Sequence, residues 1–354
     1  MSEKNNDVIL RVEHLTKRYP VNTGVFSRPK RVVHALEDVS FEVHRGETFA
    51  IVGESGCGKS TCGRCILRLT EPTSGKVYLD ARDFTSLKGE ELKQERAKMK
   101  LIFQDPYSSL NPRMTVADII AEPIDIALTY KTKEERDKRV EDVMQAVGLD
   151  LEFKYRYPHE FSGGQRQRIG IARAIVLEPE LVICDEPVSA LDVSVQAKVI
   201  NLLEDLQHRL GLSYIFISHD LSVVKHIADR VMVMYLGHMM ELAGKQELYD
   251  NPLHPYTKAL LAVVPRIGRE RIQDMHVLQG DVPSPTAPPT GCAFHTRCPH
   301  CMRVCTEKKP EMAEVAPDHW CACHLFDKDL SEAERKLDLN ETLLEAEEQT
   351  RAVR

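Results

Sequence analysis

A glycine-rich segment directly after an apolar run is the feature that most constrains this chain. Thr48–Val52 (TFAIV) is typical of a buried strand, and a helical pattern follows the glycines. The segment fits G-x-x-x-x-G-K-[ST], in which glycines let the backbone curl so that successive N–H groups face phosphate oxygens. A coincidental glycine-rich turn is disfavoured by this context. The pattern predicts a phosphate-binding loop (P-loop) made of Gly53, Glu54, Ser55, Gly56, Cys57, Gly58, Lys59, Ser60 and Thr61.

The motif assigns roles to its last residues and helps to interpret an acidic segment further along the chain. Lys59 is expected to reach the β- and γ-phosphates, and the Ser60 hydroxyl to bind Mg²⁺. Leu181–Glu186 (LVICDE) predicts a buried strand that ends in two carboxylates. An acidic pair at a strand end is often only a solvated cap, but downstream of a P-loop we assign Asp185 to the metal. Glu186 is then the general base that accepts a proton from an attacking water.

Composition and charge exclude several classes of protein. The chain has 354 residues, 42% of them hydrophobic and 29% charged, which excludes wholesale disorder and suggests about two domains. The net charge of −7 argues against a dedicated nucleic-acid binder. Neither an apolar signal region at the N-terminus nor a membrane span of about 20 apolar residues is found. We therefore expect a soluble cytosolic protein that works at a membrane only through other chains.

Alternation of short β-rich runs with helical patterns predicts an α/β fold, a sheet flanked by helices. An amphipathic helix is predicted over Glu134–Val147, whose apolar residues recur with helical spacing. Further strands are predicted at Val8–Val12, Val39–Val43, Tyr214–Ile217 and Val231–Tyr235.

Several segments in a fixed order resemble the motifs of ATP-binding-cassette (ABC) ATPases. Residues 161–168 (FSGGQRQR) resemble the signature motif of that family and lie between the P-loop and the acidic segment Leu181–Glu186. The other matches are an aromatic A-loop residue, a Q-loop glutamine, a D-loop and a switch histidine: Tyr19, Gln104, Ser189–Asp192 and His219. The resemblance implies a P-loop NTPase of ABC type. Such a fold has a RecA-like core sheet, an N-terminal antiparallel β subdomain and a helical subdomain.

Other segments are similar to the ATPases of dipeptide and oligopeptide importers. They are residues 104–113 (QDPYSSLNPR), 251–257 (NPLHPYT), 283–285 and 291–292. The insertion at residues 20–29 resembles the second of the two ATPase subunits that such importers carry. ATPases of nickel and glutathione importers share much of this pattern, so these substrates remain open alternatives to peptides.

The resemblance implies a division of the chain into three parts. Residues 8–262 are expected to form the ABC ATPase domain, with the helical subdomain at about 105–175. Residues 263–326 would be the Cys-rich C-terminal region of oligopeptide-importer type, and residues 327–354 a charged tail.

The family mechanism implies a head-to-tail dimer that holds two ATP molecules at its interface. Tyr19 would stack on adenine, Gln104 would contact the metal, and His219 would steady the γ-phosphate. The signature and D-loop residues expected at the nucleotide are Ser162, Gly163, Gly164, Gln165 and Asp192.

The expected partners are two transmembrane permeases, a second ATPase that is a paralogue or another copy, and an extracytoplasmic solute-binding protein. Nucleic acid is not expected as a partner, and the location would be the cytoplasmic face of the cell membrane. An ABC ATPase of DNA repair or chromosome organisation is disfavoured, because residues 61–161 leave no room for a long coiled coil before the signature. Translation factors usually carry two cassettes, and a zinc module with a degenerate ATPase would not keep every catalytic position.

The ten cysteines fall into two groups. Four are expected to be packing residues: Cys57, Cys62, Cys65 and Cys184. The spacing of Cys292, Cys298, Cys305 and Cys323 resembles the peptide-importer extension, in which four cysteines can bind a structural [4Fe–4S] cluster. Thiolates also suit zinc, and a second set is possible, with histidines nearby: Cys298, Cys301, Cys321 and Cys323. Reduced, unliganded cysteines are the third alternative.

Overall fold

The computed structural model describes residues 7–21, 31–262, 280–332 and 334. Its strands are β1 Val8–Val21, β2 Arg31–His44, β3 Thr48–Val52, β4 Ser74–Leu79, β5 Arg82–Asp83, β6 Met99–Ile102, β7 Leu181–Asp185, β8 Ser213–Ser218, β9 Arg230–Tyr235, β10 His238–Gly244, β11 Ala313–Ala316 and β12 His319–Cys321. Its helices are α1 Lys59–Ile66, α2 Gly89–Ala97, α3 Pro106–Ser109, α4 Val116–Ala127, α5 Lys133–Ala146, α6 Gly163–Ile175, α7 Val193–Leu210, α8 Leu221–Ile227, α9 Lys245–Asp250, α10 Pro255–Ala262 and α11 Arg303–Glu307.

In the described part of the chain the strands form two sheets. The central sheet has the order β11-β12-β10-β9-β3-β8-β7-β6, with neighbours parallel from β9 to β6 and antiparallel from β9 to β11. The second sheet, β2-β1-β4-β5, is antiparallel. The α/β prediction with an N-terminal antiparallel subdomain is confirmed.

Strand β3 lies inside the central sheet, between β9 and β8, and is buried along its whole length. Successive side chains of a strand point to opposite faces of the sheet. Phe49 and Ile51 accordingly pack in the cluster shared with the antiparallel sheet, whereas Ala50 and Val52 pack in the cluster on the other face. Burial on both faces explains why this strand is a run without alternating polar and apolar residues in the sequence.

The remaining parts of the chain attach to this core. Helices α4, α5 and α6 contact one another within the range expected for a helical subdomain. Strand β12 pairs with β10, so that the C-terminal residues extend the central sheet. None of the helices in the described residues combines the length and apolar character needed to cross a bilayer. The boundary expected at residue 263, most of the insertion at 20–29 and most of the tail lie outside the described residues.

Candidate functional site: a nucleotide-phosphate cradle

The P-loop follows β3 and needs glycine at two positions for steric reasons. Gly53 and Gly58 have φ values of +151° and +106°. A Cβ atom on Gly53 would lie 2.2 Å from the carbonyl oxygen of Met234, and one on Gly58 would lie 2.3 Å from that of Ala35. The backbone can therefore follow this path only if neither of these two positions carries a side chain. The remaining loop positions are two exposed residues and a buried one: Ser55, Gly56 and Cys57.

Lys59, Ser60 and Thr61 form the first turn of α1. The Lys59 side chain is buried, and its Nζ donates hydrogen bonds to the carbonyl oxygens of Gly53 at 2.7 Å and Glu54 at 3.0 Å. These bonds hold the ammonium group inside the curve of the loop. Positive charge and the N-terminus of a helix together form a site that attracts phosphate.

Two predicted metal ligands from distant parts of the sequence meet beside the loop. The Ser60 hydroxyl donates a 2.6 Å hydrogen bond to Oδ1 of Asp185, which is the last residue of β7. Burial raises the pKa of Asp185, an effect that the hydrogen bond from Ser60 opposes. A hydroxyl and a carboxylate are oxygen donors of the kind that Mg²⁺ prefers.

Glu186 lies between two other predicted residues. Its Oε2 accepts a hydrogen bond from Nε2 of Gln104 at 2.9 Å and lies 3.1 Å from Nδ1 of His219. The backbone of Glu186 has φ +47°, and its N–H donates to the carbonyl of Ile217 at 2.9 Å. A left-handed conformation in a residue other than glycine is uncommon. Here it turns the carboxylate toward Gln104 and His219, and strain of this kind is often found at functional sites.

The signature and D-loop residues lie at the starts of α6 and α7. Ser162 caps α6: its Oγ accepts from the N–H of Gln165 at 3.4 Å, and its own N–H donates to Oε1 of Gln165 at 3.0 Å. Asp192 caps α7 by accepting from the N–H of Val195 at 3.0 Å. A Cβ on Gly164 would lie 2.4 Å from Cγ1 of Val195, so α6 and α7 pack tightly here. Three residues at the starts of these helices are exposed: Ser162, Gly163 and Asp192.

Tyr19 lies in β1 opposite Val33 of β2. Its ring is partly exposed, and Nζ of Lys17 lies 4.7 Å from the ring centroid. An exposed ring next to a cation is suited to stacking on a planar group.

The cysteines predicted as packing residues (Cys57, Cys62, Cys65 and Cys184) are all buried, which confirms that prediction. In the C-terminal segment, no three His, Cys, Asp or Glu residues among those described are grouped as ligands of one metal ion. Neither the [4Fe–4S] cluster nor the zinc alternative therefore gains support from the geometry of these residues. Nearby histidines are occupied elsewhere, because His319 pairs with Glu241 and His324 bonds the carbonyl oxygen of Lys308.

Two contacts of the P-loop were absent from the sequence predictions. Nη1 and Nη2 of the buried Arg297 donate to the Glu54 carboxylate at 2.7 and 3.2 Å, and the N–H of Glu54 donates to the Tyr256 hydroxyl at 3.0 Å. Tyr256 belongs to the segment NPLHPYT, whose sequence indicates only a resemblance to the importer ATPases. No sequence pattern singles out Arg297.

A fully buried carboxylate next to the C-terminal region was also missed. Glu241 of β10 accepts from Nε2 of His319 at 2.7 Å and from the N–H groups of Leu253 and His254 at 2.8 and 2.9 Å. This group joins β10, β12 and the start of α10, so its role is structural.

Comparison with known proteins places the chain in a family. The family model described as "ABC transporter" matches residues 36–189, and "Oligopeptide/dipeptide transporter, C-terminal region" matches residues 240–305. The chain is 55% identical over 333 residues to the oligopeptide transport ATP-binding protein AppF of Bacillus subtilis, covering 92% of this chain and 100% of that protein. It is 50% identical over 328 residues to the dipeptide transport ATP-binding protein DppF of Haemophilus influenzae, covering 92% and 98%.

Solved structures of ABC cassettes share the fold. The dimeric post-hydrolysis structure of the ATP-binding cassette MJ0796, bound to ADP and Pi, is 29% identical with a TM-score of 0.59. It covers 67% of this chain and 98% of that one. The structure of cbiO1 from Clostridium perfringens is 28% identical with a TM-score of 0.60, covering 69% and 92%. The chain therefore belongs to the ABC ATPases, in the family of oligopeptide and dipeptide transport ATP-binding proteins.

Proposed function

We propose that this chain is the ATP-hydrolysing subunit that energises the import of dipeptides or oligopeptides. One observation carries the enzymatic part: the proposed base and a proposed metal ligand are adjacent residues beside the P-loop. Glu186 accepts a hydrogen bond from Gln104 and lies next to His219. The preceding residue, Asp185, accepts a hydrogen bond from Ser60 of the P-loop. Peptides are favoured as the solute because relatives that are 55% and 50% identical to this chain carry oligopeptide or dipeptide transport in their names.

The site residues divide the work of phosphoryl transfer. Lys59 and the loop N–H groups bind the phosphates, and Glu186 takes a proton from the attacking water while His219 steadies the γ-phosphate. Ser60, Asp185 and the Oε1 atom of Gln104, which its bond to Glu186 leaves free, would hold Mg²⁺. When bound, Mg²⁺ supplies positive charge that offsets the charge on the phosphate oxygens. Tyr19 is the residue proposed to stack on adenine.

We further propose that two such subunits close head to tail around ATP. The N-termini of α6 and α7 support this arrangement, because Ser162 and Gly163 at the first and Asp192 at the second are exposed and can be reached by a neighbouring subunit. The proposed partners are two membrane permeases, a second ATPase subunit and an extracytoplasmic binding protein. The complex would hold this chain on the cytoplasmic face of the membrane.

The test uses the transporter reconstituted with its permeases in liposomes. Glu186→Gln should keep Mg²⁺-ATP binding and lower steady-state hydrolysis by about 10²- to 10⁴-fold, because an amide cannot accept the proton. Lys59→Ala should lose nucleotide affinity instead. The matched control is Glu178→Gln, since Glu178 is exposed and forms a surface pair with Arg139. Its hydrolysis should be unchanged.

Three results would contradict the proposal. Near-wild-type turnover by the Glu186→Gln complex would remove this residue as the base. Unchanged ATP binding by Lys59→Ala would contradict the P-loop assignment. Hydrolysis stimulated by binding protein loaded with nickel or glutathione, and not with peptides, would move the chain to another substrate class.

We also propose that the C-terminal segment holds a [4Fe–4S] cluster through Cys292, Cys298, Cys305 and Cys323. In such a cluster each thiolate binds a different iron, so the four sulfurs need not converge on one point. Two findings support the proposal: the family model "Oligopeptide/dipeptide transporter, C-terminal region" matches residues 240–305, and the N–H of Cys292 donates to the carbonyl of Cys305 at 2.8 Å, which brings these two residues together. Anaerobically purified protein should contain about four iron atoms per chain and absorb near 400 nm. Stoichiometric zinc without iron would refute this.

A further inference from the structure

The second residue of the P-loop is held from outside the loop at both its backbone and its side chain. The N–H of Glu54 donates to the Tyr256 hydroxyl at 3.0 Å. Its carboxylate accepts two hydrogen bonds from the guanidinium of Arg297, at 2.7 and 3.2 Å. Both partners lie in the C-terminal third of the chain, so a remote region fixes the position of the loop.

The packing around Arg297 makes this contact rigid. Only 5% of the Arg297 side chain is exposed, against 27% for Glu54. The Tyr235 hydroxyl lies 3.5 Å from Nη1 of Arg297, and the rings of Tyr235, Tyr256 and Phe294 pack on one another with centroids 4.8–5.3 Å apart. A two-pronged guanidinium–carboxylate pair in such surroundings keeps one geometry.

The charge of Glu54 is unfavourable for the function of the loop it belongs to. The carboxylate stands in a loop whose backbone amides and lysine gather phosphate, and a negative group there repels the nucleotide. The carbonyl oxygen of the same residue accepts a hydrogen bond from the phosphate-binding Lys59 at 3.0 Å. The conformation and charge of Glu54 therefore both bear on nucleotide affinity.

We propose that Arg297 is a positioning residue of the nucleotide site, which neutralises Glu54 and fixes the P-loop, and thereby makes ATP affinity depend on the Cys-rich region. This inference rests on the proposed function, since it assumes that the loop binds nucleotide. Arg297 acts through Glu54 and needs no contact with the phosphates.

The test measures the affinity of the purified full chain for Mg²⁺-ADP, which the site cannot hydrolyse, by titration calorimetry. Arg297→Gln should raise the Kd roughly tenfold, within the range typical of coupling between sites. Adding Glu54→Gln to Arg297→Gln should recover most of that loss, because the unpaired negative charge is then gone. The single Glu54→Gln variant completes the cycle. Arg303→Gln is the matched control, because Arg303 pairs with Glu307 on the surface of the same region, and its Kd should not change.

Further measurements separate positioning from mere structural damage. In the reconstituted transporter Arg297→Gln should raise the KM for ATP with little change in kcat, and the nucleotide-free chain should keep a cooperative thermal transition. Unchanged affinity of Arg297→Gln, or a double variant as weak as the single one, would overturn the inference. Retained ADP binding by Lys59→Ala would instead contradict the proposed function, so the two failures are distinguishable.

Discussion

Replacing Glu241 by glutamine tests the junction between the central sheet and the C-terminal region. The carboxylate is fully buried and accepts hydrogen bonds from His319 Nε2, Leu253 N and His254 N. Glutamine keeps the shape, but its NH₂ group faces a donor, so one buried donor loses its partner and the others lose a charged acceptor. An unsatisfied buried donor costs about 1–3 kcal/mol and a hydrogen bond to a charged group contributes about 1.5–3 kcal/mol. We expect Glu241→Gln to lower the free energy of unfolding by about 3 kcal/mol.

The assay is urea unfolding of the nucleotide-free chain followed by circular dichroism. A second glutamate near the same histidine provides the control: Oε1 of Glu247 lies 3.8 Å from Nδ1 of His319, but 47% of that side chain is exposed. Because solvent screens exposed pairs, Glu247→Gln should change the unfolding free energy by no more than about 0.5 kcal/mol. Equal losses in the two variants would refute the reasoning, since burial would then have no effect on the strength of the contact.

The remaining predictions concern acid stability and the P-loop backbone. Burial opposes ionisation of Glu241, yet hydrogen bonds from His319 and two backbone N–H groups hold its pKa below the ordinary 4.5. Its ionised form thus stabilises the fold above pH 4.5, and this contribution disappears as the pH falls through the lower native pKa. The stability gap between wild type and Glu241→Gln, measured by urea unfolding, should therefore narrow below pH 4.5; a gap that widens in acid would be inconsistent with this. Gly58→Ala should abolish Mg²⁺-ADP binding, because the new Cβ would lie 2.3 Å from the carbonyl oxygen of Ala35. Gly46→Ala, where φ is +72° and no atom lies within 4 Å, should cost about 1–2 kcal/mol of stability and leave binding intact; loss of binding there would show that the assay reports general damage.

The sequence was most informative where structure depends on neighbours along the chain. Strand β3 is observed at Thr48–Val52 as predicted, and α5 at Lys133–Ala146 matches the predicted helix within a residue at each end. A strand that is buried on both faces is a continuous apolar run in the sequence. In a helix that packs on one side, the apolar residues recur with the helical period. In both cases the pattern of consecutive residues reflects which side chains are buried.

The antiparallel sheet was predicted only in part. Strands were expected at Val8–Val12 and Val39–Val43, whereas β1 extends to Val21 and β2 begins at Arg31. Pairing between β1 and β2 shifts register after Val12, and further along many of the paired residues are partly or fully exposed. A register shift moves later side chains to the other face, and an exposed ribbon needs no apolar face. The alternation on which the prediction relied therefore stops before the strands do.

The contact between Arg297 and Glu54 shows a further limit of sequence reasoning. Glu54 occupies a variable position of the P-loop motif, so the motif gives no reason to expect a partner for it. Its partner lies 243 residues further along the chain, and an arginine among many charged residues carries no local pattern. The pairing exists because Tyr235 and Tyr256 come together beneath the loop and bring Phe294 and its neighbours with them. A motif specifies the atoms that touch the nucleotide, whereas the rigidity of those atoms depends on tertiary packing. Variation in nucleotide affinity among chains with identical P-loops should accordingly be sought in residues such as Arg297.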